Sequence, residues 1–260
     1  MPELGILHPG EMGAAIGAAL RGRDLPVCWA GPGRSAATTR RASAAGLRDA
    51  GSVAAVCAAA DVIVSICPPH AALEVAASVA AQGFSGIYLD ANAISPGTAT
   101  RVAETVGGSA AYVDGGVVGP PPTERGRTRL FLSGDRAAEL AGLLGGGPLE
   151  AIALDGGTTA ASALKMTYAA WTKGSAALLL ALREAARGHG VEDALAAEWA
   201  RSQPALADRW ESALDSARAK GWRWTAEMTE IARTFAEAGQ PAGFHEAAAE
   251  VYGRYERPAD

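Results

Sequence analysis

A glycine-containing turn that could bind phosphate follows the first predicted strand. The turn, residues 8–13 (HPGEMG), lies between the apolar run Leu4–Leu7 and a helical pattern that begins at Met12. In such a strand–turn–helix unit, glycine lets the backbone approach a pyrophosphate, and the helix N-terminus offers unpaired N–H groups. His8 stands at the first position of the G-x-G-x-x-G pattern, so an ordinary strand–helix connection is the alternative. The residues predicted to bind a dinucleotide are Pro9, Gly10, Glu11, Met12 and Gly13.

The segment after the second predicted strand, Pro26–Trp29, indicates which dinucleotide is bound. Proteins that bind NAD place a carboxylate there for the ribose 2′-hydroxyl. Residues 30–35 (AGPGRS) contain no acidic residue and end in Arg34 and Ser35. A guanidinium and a hydroxyl suit a 2′-phosphate, so the sequence predicts NADP, with NADPH preferred over NADH. A solvated basic helix face is the alternative interpretation.

A lysine stands in an otherwise apolar stretch of a long predicted helix, residues 159–187. Hydride transfer to or from a nicotinamide requires a proton donor at the substrate heteroatom. Lys165 is placed for that role near the start of the helix, and a lysine that only snorkels to solvent is the alternative. Tyr168 and Thr172 follow at i+3 and i+7 on the same helix face, so they are predicted to line a substrate pocket.

The secondary structure predicted for the elements that position these residues changes near residue 156, from alternating strands and helices to helices only. Before it, short runs rich in Ile, Val and Leu alternate with helical spacing, which is typical of βαβ units and a mostly parallel sheet. Further predicted strands are Val62–Ile66, Ile87–Leu89, Ala111–Val113, Arg129–Leu132 and Glu150–Leu154. After residue 156 only helical patterns follow: 159–187, Glu192–Ser202, Pro204–Lys220, Thr225–Ala238 and Gly243–Tyr255. The predicted fold class is therefore α/β: a Rossmann-type doubly wound sheet (1–156), then an all-α domain (157–260) that begins with a long interdomain helix.

Composition argues against several kinds of partner. A net charge of -5 and a pI near 5.5 do not suit a nucleic-acid-binding protein, which presents a basic stripe. The longest apolar stretch, Gly174–Leu182, is far shorter than the roughly 20 residues of a membrane span. Cys28, Cys57 and Cys67 lack metal-ligand spacing, which indicates thiols in a reducing compartment and no metal site. Because the N-terminus lacks a basic leader, a soluble cytoplasmic protein is expected.

Four segments in order resemble the β-hydroxyacid dehydrogenase family, which includes 6-phosphogluconate dehydrogenases and 3-hydroxyisobutyrate dehydrogenases. The turn at 8–13 resembles the family's Gly-Leu-Gly-x-Met-Gly, and residues 89–96 (LDANAISP) resemble Asp-x-Ser-Thr-x-x-Pro. Residues 113–120 (VDGGVVGP) are similar to the substrate-loop motif Asp-Ala-Pro-Val-Ser-Gly-Gly. Residues 160–166 (AASALKM) are similar to the start of the helix that carries the family's catalytic lysine. The resemblance implies a Rossmann fold, a nicotinamide cofactor and hydride transfer.

The resemblance also implies roles for individual residues. Lys165 matches the general acid/base, and Val118 with Gly119 matches the substrate loop. The residues implied to contact the cofactor or substrate at neighbouring strand ends are Cys67, Pro68 and Asn92. The predicted function is an NADP-dependent oxidoreductase acting on a small hydroxy acid or a related carbonyl compound.

The chain also departs from the family pattern. His8 and Pro120 replace glycines, Val118 replaces the loop serine, and Ala169 replaces an asparagine four residues after the lysine. These departures favour one alternative, a non-catalytic NADP-binding sensor or partner subunit. An imine reductase-like enzyme is the other alternative.

The helical half is expected to mediate self-association. At about 1.5 Å per residue, the helix at 159–187 is about 40 Å long, longer than a small domain is wide. The same half holds most of the six tryptophans of the chain. A large apolar surface of this kind indicates an interface, so we expect a homodimer with interlocked helical domains.

Overall fold

The protein consists of a β/α unit followed by a helical unit. The computed structural model describes residues 1–256, and the chain divides into two compact units, Met1–Lys165 and Met166–Asp260. This division falls inside a helix, and the domain boundary predicted at residue 156 remains a prediction. Residues 257–260 of the predicted helical domain lie outside the described residues.

The strands of the first unit form one sheet. They are β1 Leu4–Leu7, β2 Val27–Trp29, β3 Arg48–Asp49, β4 Val62–Ser65, β5 Ile87–Asp90, β6 Ala111–Val118, β7 Thr128–Ser133 and β8 Leu149–Ala153. Their spatial order is β3-β2-β1-β4-β5-β6-β7-β8, and every neighbouring pair is parallel except β6 with β7. The predicted α/β fold class, a largely parallel doubly wound sheet followed by helices, is confirmed.

The helices lie between the strands in the first unit and follow one another in the second. They are α1 Glu11–Arg21, α2 Ala36–Ala44, α3 Val53–Ala59, α4 Ala72–Ala80, α5 Pro96–Val106, α6 Ala137–Leu144, α7 Ala160–Gly188, α8 Glu192–Ser202, α9 Leu206–Glu237 and α10 Gly243–Tyr252, with a 3₁₀ turn at Pro69–Ala71. No helix in the described part of the chain is long and apolar enough to cross a membrane.

Alternating side chains of the central strands build a core on both faces of the sheet. In β4, Val62 and Val64 join one buried cluster and Ile63 joins the other. In β5, Leu89 belongs to the first cluster and Tyr88 to the second. A strand that is buried on both faces is a short continuous apolar run, which is why such runs in the sequence predict a parallel sheet.

The structure corrects the sequence-based elements in two places. Strand β3 is missing from the prediction, because two exposed residues carry no periodic signal. The prediction of separate helices at Pro204–Lys220 and Thr225–Ala238 is wrong, since α9 is one helix of 32 residues. Gly221 does not break it: a Cβ there would lie 3.2 Å from the Cβ of Tyr255, so the glycine makes room for the segment that follows α10.

Polar contacts connect the helices of the second unit. Lys173 of α7 forms an ion pair with Glu227 of α9. The Tyr252 hydroxyl of α10 donates to the Lys173 carbonyl oxygen at 2.8 Å. Arg183, further along α7, lies over the Trp210 ring of α9 at 4.0 Å. These contacts fix α7 against α9 and α10.

Candidate functional site

The carboxyl ends of the central strands form the edge at which the predicted cofactor residues meet. Strand β1 pairs with β2 on one side and with β4 on the other, so the order of the strands reverses at β1. Open α/β sheets bind ligands outside the carboxyl ends of the strands at such a switch point. The turn 8–13 follows β1, Cys67 follows β4 and Asn92 follows β5, so the structure brings these predicted residues to one edge.

Residues 8–13 form a tight turn that leads directly into α1. The Gly10 N–H donates to the His8 carbonyl oxygen at 2.7 Å, and α1 begins at Glu11 without a side-chain cap. A Cβ at Gly13 would lie 2.7 Å from Ile66 Cγ2 and 2.9 Å from the His8 carbonyl oxygen, so this packing requires glycine. A Cβ at Gly10 would have its nearest neighbour 4.0 Å away. The open backbone at Gly10 and the uncapped start of α1 suit a phosphate oxygen.

The other turn residues have different surroundings. Pro9 is buried and Glu11 is exposed. Met12 is partly buried and packs against the core cluster that lies on one face of the sheet. Of the predicted contacts, Pro9 and Met12 therefore hold the turn in place, and Gly10 and Glu11 remain accessible.

His8 has an unusual backbone conformation and an unpartnered ring nitrogen. Its φ is 66°, in the left-handed region that residues other than glycine seldom adopt. The Nδ1 atom is buried and has no hydrogen-bond partner. Burial and, second, the positive charge of Arg34 lower the pKa of His8 to about 4. The imidazole is therefore neutral at pH 7.

Arg34 and Ser35 lie between the end of β2 and the start of α2. Ser35 is the N-cap of α2, because its Oγ accepts from the Thr38 N–H at 3.2 Å. The hydroxyl predicted to bind phosphate therefore also stabilises a helix N-terminus. Arg34 is partly buried, and its positive charge adds to burial in lowering the pKa of His8.

Asp49, at the end of β3, is an acidic residue near this edge that the sequence analysis missed. Its Oδ1 accepts from the Gly31 N–H at 3.0 Å and from the Gly51 N–H at 2.8 Å. A Cβ at Gly31 would lie only 2.1 Å from Asp49 Oδ2. Although no acid follows β2 in the sequence, the fold therefore brings one beside the end of β2. Its signal in the sequence was absent, because β3 is too short to be recognised.

Asn92 connects the ends of β4 and β5. Its Oδ1 accepts from the Cys67 N–H at 2.6 Å, and its Nδ2 donates to Ser65 Oγ at 3.2 Å. Its own N–H donates to Asp90 Oδ1 at 2.9 Å. Asn92 thereby fixes the segment that carries Cys67 and the exposed Pro68. Burial raises the pKa of Cys67 to about 12, so the thiol stays protonated and is a packing group at this edge.

A buried carboxylate holds the first turn of α7, which carries Lys165. Asp114 of β6 accepts from the Ser162 N–H at 2.7 Å and from the Ser162 hydroxyl at 2.6 Å. Ser133 of β7 accepts from the Ala161 N–H at 3.0 Å. A carboxylate at a helix N-terminus satisfies its free N–H groups and is favoured by the helix dipole. Burial raises the pKa of Asp114, and the hydrogen bonds from Ser162 and Ser133 oppose that shift.

The side chain of Lys165 begins directly above β6. A Cβ at Gly116 would lie 2.6 Å from the Ala161 carbonyl oxygen and 2.9 Å from the Lys165 Cβ. Glycine at this position therefore lets α7 pack closely on the strand. Lys165 itself is partly buried. Sequence reasoning found the lysine but missed the group formed by Asp114, Ser133 and Ser162, whose members are far apart in the chain.

The predicted substrate-loop residues lie at the end of the same strand. Val118 ends β6 and its side chain is 2% exposed, so it packs inside the unit. Gly119 has a φ of 117°, and a Cβ there would lie 2.2 Å from the Arg127 carbonyl oxygen. Only glycine fits this turn towards β7. A contact of either residue with substrate remains a prediction.

Tyr168 and Thr172 belong to the second unit, on α7. Tyr168 is 47% exposed, and the Thr172 hydroxyl donates to the Tyr168 carbonyl oxygen at 3.4 Å. Both side chains are open to solvent in the single chain. Their role in a substrate pocket also remains a prediction.

The residues at the carboxyl edge fit a dinucleotide phosphate. They offer an open glycine backbone at a helix start, a guanidinium at Arg34 and a neutral imidazole at His8. Within residues 1–256, no three His, Cys, Asp or Glu side chains form a group that could hold a metal ion. N–H donors and positive charge are the groups that recognise phosphate in proteins.

Comparisons with known proteins identify the fold. A family model described as Domain of unknown function (DUF1932) matches residues 186–255. No curated protein matches the chain. A solved conserved protein of unknown function, described as structurally similar to 3-hydroxyacid dehydrogenases, is 26% identical with a TM-score of 0.72, over 97% of this chain and 96% of its own.

Two solved enzymes share the fold at lower identity. The 3-hydroxyisobutyrate dehydrogenase of Mycobacterium tuberculosis is 17% identical with a TM-score of 0.74, over 98% of this chain and 93% of its own. A reductive aminase from Aspergillus terreus in complex with NADPH is 18% identical with a TM-score of 0.60, over 98% and 93% of the two chains. The resemblance to the β-hydroxyacid dehydrogenases is thus confirmed at the level of the fold.

Proposed function

We propose that the protein is an NADP-dependent oxidoreductase that transfers a hydride between nicotinamide and a small hydroxy acid or related carbonyl compound. The observation that carries this proposal lies within one unit. An open glycine turn stands at the switch point of the sheet, and the helix start that bears Lys165 is bound to β6 through Asp114. The fold that the chain shares with a dehydrogenase and a reductive aminase supports this class of reaction.

Different residues of the chain bind the cofactor, transfer the proton and position the lysine. When bound, the nicotinamide cofactor supplies or accepts the hydride. The N–H groups at the start of α1 bind the pyrophosphate, and Arg34 with Ser35 binds the 2′-phosphate. Lys165 Nζ donates a proton to the substrate oxygen or nitrogen during reduction and accepts one during oxidation. Asp114 and Gly116 position this lysine, because Asp114 binds the first turn of α7 and Gly116 lets the helix pack closely on β6 at Ala161 and Lys165.

A substrate screen with both cofactors tests the proposal. Hydroxy acids, keto acids and cyclic imines are incubated with oxidised or reduced NADP and NAD, and absorbance of the reduced nicotinamide is followed. Turnover of a hydroxy or keto acid is the expected result. Turnover restricted to imines identifies a reductase of the reductive aminase kind. NADPH binding with no turnover at all contradicts the enzyme assignment and favours a sensor or partner subunit.

NADPH is expected to bind more tightly than NADH, because Arg34 offers a charge-assisted contact to the extra phosphate. Such a contact is worth about 1.5–3 kcal/mol, which corresponds to roughly tenfold to hundredfold in Kd. Fluorescence titration of wild type and Arg34→Ala measures this difference. Arg41→Ala, which removes an exposed guanidinium from α2, is the matched control. An unchanged NADPH Kd in Arg34→Ala contradicts the assignment.

The Asp49 carboxylate is the observation that favours NAD as a second candidate. It stands beside the end of β2, where NAD-dependent proteins bind the ribose hydroxyl with an acid. Its Oδ1 is already shared by the Gly31 and Gly51 N–H groups, so we assign it to holding the loop. If Asp49→Asn weakens NADH binding more than NADPH binding, the carboxylate binds the ribose hydroxyl of NAD. NAD, and not NADP, is then the preferred cofactor.

The same proposal includes the setting in which the protein works. We propose a homodimer formed through the helical half, acting on a small molecule in the cytoplasm. All three cysteines are free, and two of them are buried, which suits a reducing compartment.

A further inference from the structure

We infer that His8 is a specificity-determining residue that donates a hydrogen bond to the 2′-phosphate of NADP, together with Arg34. This inference rests on the proposed function, and it assigns a task to the residue that replaces glycine at the start of the turn. The ligand chemistry is a phosphate ester on a ribose, recognised by one neutral donor and one guanidinium.

The backbone gives the first reason. His8 and Asp24 are the non-glycine residues with positive φ in the described chain, at 66° and 61°. Aspartate tolerates this conformation because its short side chain can hydrogen-bond locally, and Asp24 lies in an ordinary turn between α1 and β2. His8 makes no such local bond through Nδ1, since that atom has no partner. An uncommon backbone conformation, together with a buried ring nitrogen that has no internal hydrogen bond, points to a contact outside the protein.

The ring determines which atom can bind. Nδ1 is buried without an acceptor, so a proton there would be unsatisfied. The single proton of the neutral ring therefore belongs on Nε2, which makes Nε2–H the donor. Burial and the charge of Arg34 keep the ring neutral, because they lower the pKa of His8 to about 4. His8 thus offers one N–H donor to an acceptor outside the protein, and a phosphate oxygen is a strong acceptor.

The position of Arg34 indicates which phosphate of the cofactor His8 contacts. Strands β1 and β2 are adjacent and parallel, His8 follows β1 and Arg34 follows β2, so both residues lie at the same edge of the sheet, and the charge of Arg34 adds to burial in lowering the pKa of His8. The pyrophosphate is bound by the N–H groups at the start of α1, which follow His8 in the chain and are separate from its side chain. A group bound between His8 and Arg34 is therefore the one beyond the end of β2, where the ribose 2′-position lies in this type of fold.

The decisive variant is His8→Gly, which restores the glycine that dinucleotide-binding turns ordinarily have. If His8 were only tolerated, this change would leave cofactor binding equal or tighter, because it relieves the backbone. We expect the opposite for NADPH: its Kd rises about tenfold or more, as for the loss of a hydrogen bond to a charged group. The NADH Kd is expected to change less than threefold, since NADH lacks the 2′-phosphate. Isothermal titration of both cofactors measures the two values without any substrate.

Matched controls separate binding from folding. Asp24→Gly relieves the other positive φ and is expected to leave both Kd values unchanged. His8→Asn introduces a residue that tolerates positive φ but whose amide is too short to replace Nε2. We therefore expect it to lose NADPH affinity as His8→Gly does. It replaces His8→Gly in the test if that variant folds poorly. Thermal unfolding of each variant reports whether the fold is intact.

Combining His8→Gly with Arg34→Ala tests whether the two residues bind one group. We expect the double variant to lose less NADPH affinity than the product of the two single losses, because both contacts serve the same phosphate. Strictly additive losses, an equal loss for NADH, or an unchanged NADPH Kd in His8→Gly each overturn the inference. If wild type binds neither cofactor, the proposed function fails instead, so the two failures are distinguishable.

Discussion

At the scale of single residues, Lys165 is the group on which the proposed chemistry depends. Loss of a positioned general acid/base lowers a rate by about 10²–10⁴. We therefore expect Lys165→Met to reduce kcat by that factor on whichever substrate the screen identifies, with the NADPH Kd largely unchanged. Lys220→Met, which removes a lysine of α9, is the control. Turnover that survives within a fewfold would assign the proton transfer to Tyr168 or to water.

The buried carboxyl of Asp90 is expected to make the free energy of unfolding depend on pH. It is 1% exposed, its Oδ2 is buried without a hydrogen-bond partner, and burial, with Asp114 nearby, raises its pKa to about 7. The unfolded chain releases this proton near a pKa of about 3.9, so the folded state binds more protons between these values. The free energy of unfolding therefore falls as pH rises from about 4 to about 7.

The variant Asp90→Asn tests this pH dependence, since it keeps the oxygen that accepts from the Asn92 N–H and cannot titrate. Urea unfolding at about pH 5 and about pH 8 should show a smaller loss of stability in the variant than in wild type. Two parallel pH curves would show that Asp90 has the same protonation state in the folded and unfolded chains.

At the scale of elements, the bond between β6 and the start of α7 matters most, because it carries Lys165. Ser162→Ala removes the hydroxyl that donates to Asp114 and leaves a buried carboxylate with fewer donors. We expect the free energy of unfolding to fall by about 1–3 kcal/mol. Ser175→Ala is the matched control, since that hydroxyl donates only to the Trp171 carbonyl on a more exposed part of the same helix. Equal effects of the two substitutions would mean that the Asp114 contact adds no particular stability.

At the scale of the whole molecule, an apolar stripe on α7 predicts self-association. Trp171 and Leu178 are 71% and 60% exposed, Leu182 is 40% exposed, and the spacing places the three on one helix face. Burying such side chains fully is worth roughly 1.5–3 kcal/mol each, so a partner helix is expected to cover them. Wild type should sediment as a dimer, and Leu178→Glu should shift it towards monomer, whereas Ala194→Glu on the exposed part of α8 should not. A wild-type monomer at micromolar concentration would contradict the homodimer.

Several parts of this protein could be predicted from residues that are close together in the chain. Continuous apolar runs placed most of the strands, helical spacing placed α7 with Lys165, and the HPGEMG turn marked the carboxyl end of β1, because each of these signals arises from residues that are close in the chain. The close packing of Gly221 in α9 against Tyr255 depends on a residue 34 positions away, which no local pattern contains.

The contacts between polar groups at the candidate site could not be predicted in this way, because they depend on the fold. Asp114 and Ser162 are 48 residues apart, and Cys67 and Asn92 are 25 apart, so their contacts depend on which strands are neighbours in the sheet. Asp49 reaches the end of β2 only because β3 pairs there. The effect of the Arg34 charge on His8 likewise depends on the adjacency of β1 and β2. The residue types limit which reactions and ligands are possible, and the order of the strands determines which of these residues come into contact. Hydrogen bonds and charge interactions depend on distances of a few ångströms in space and not on separation along the chain.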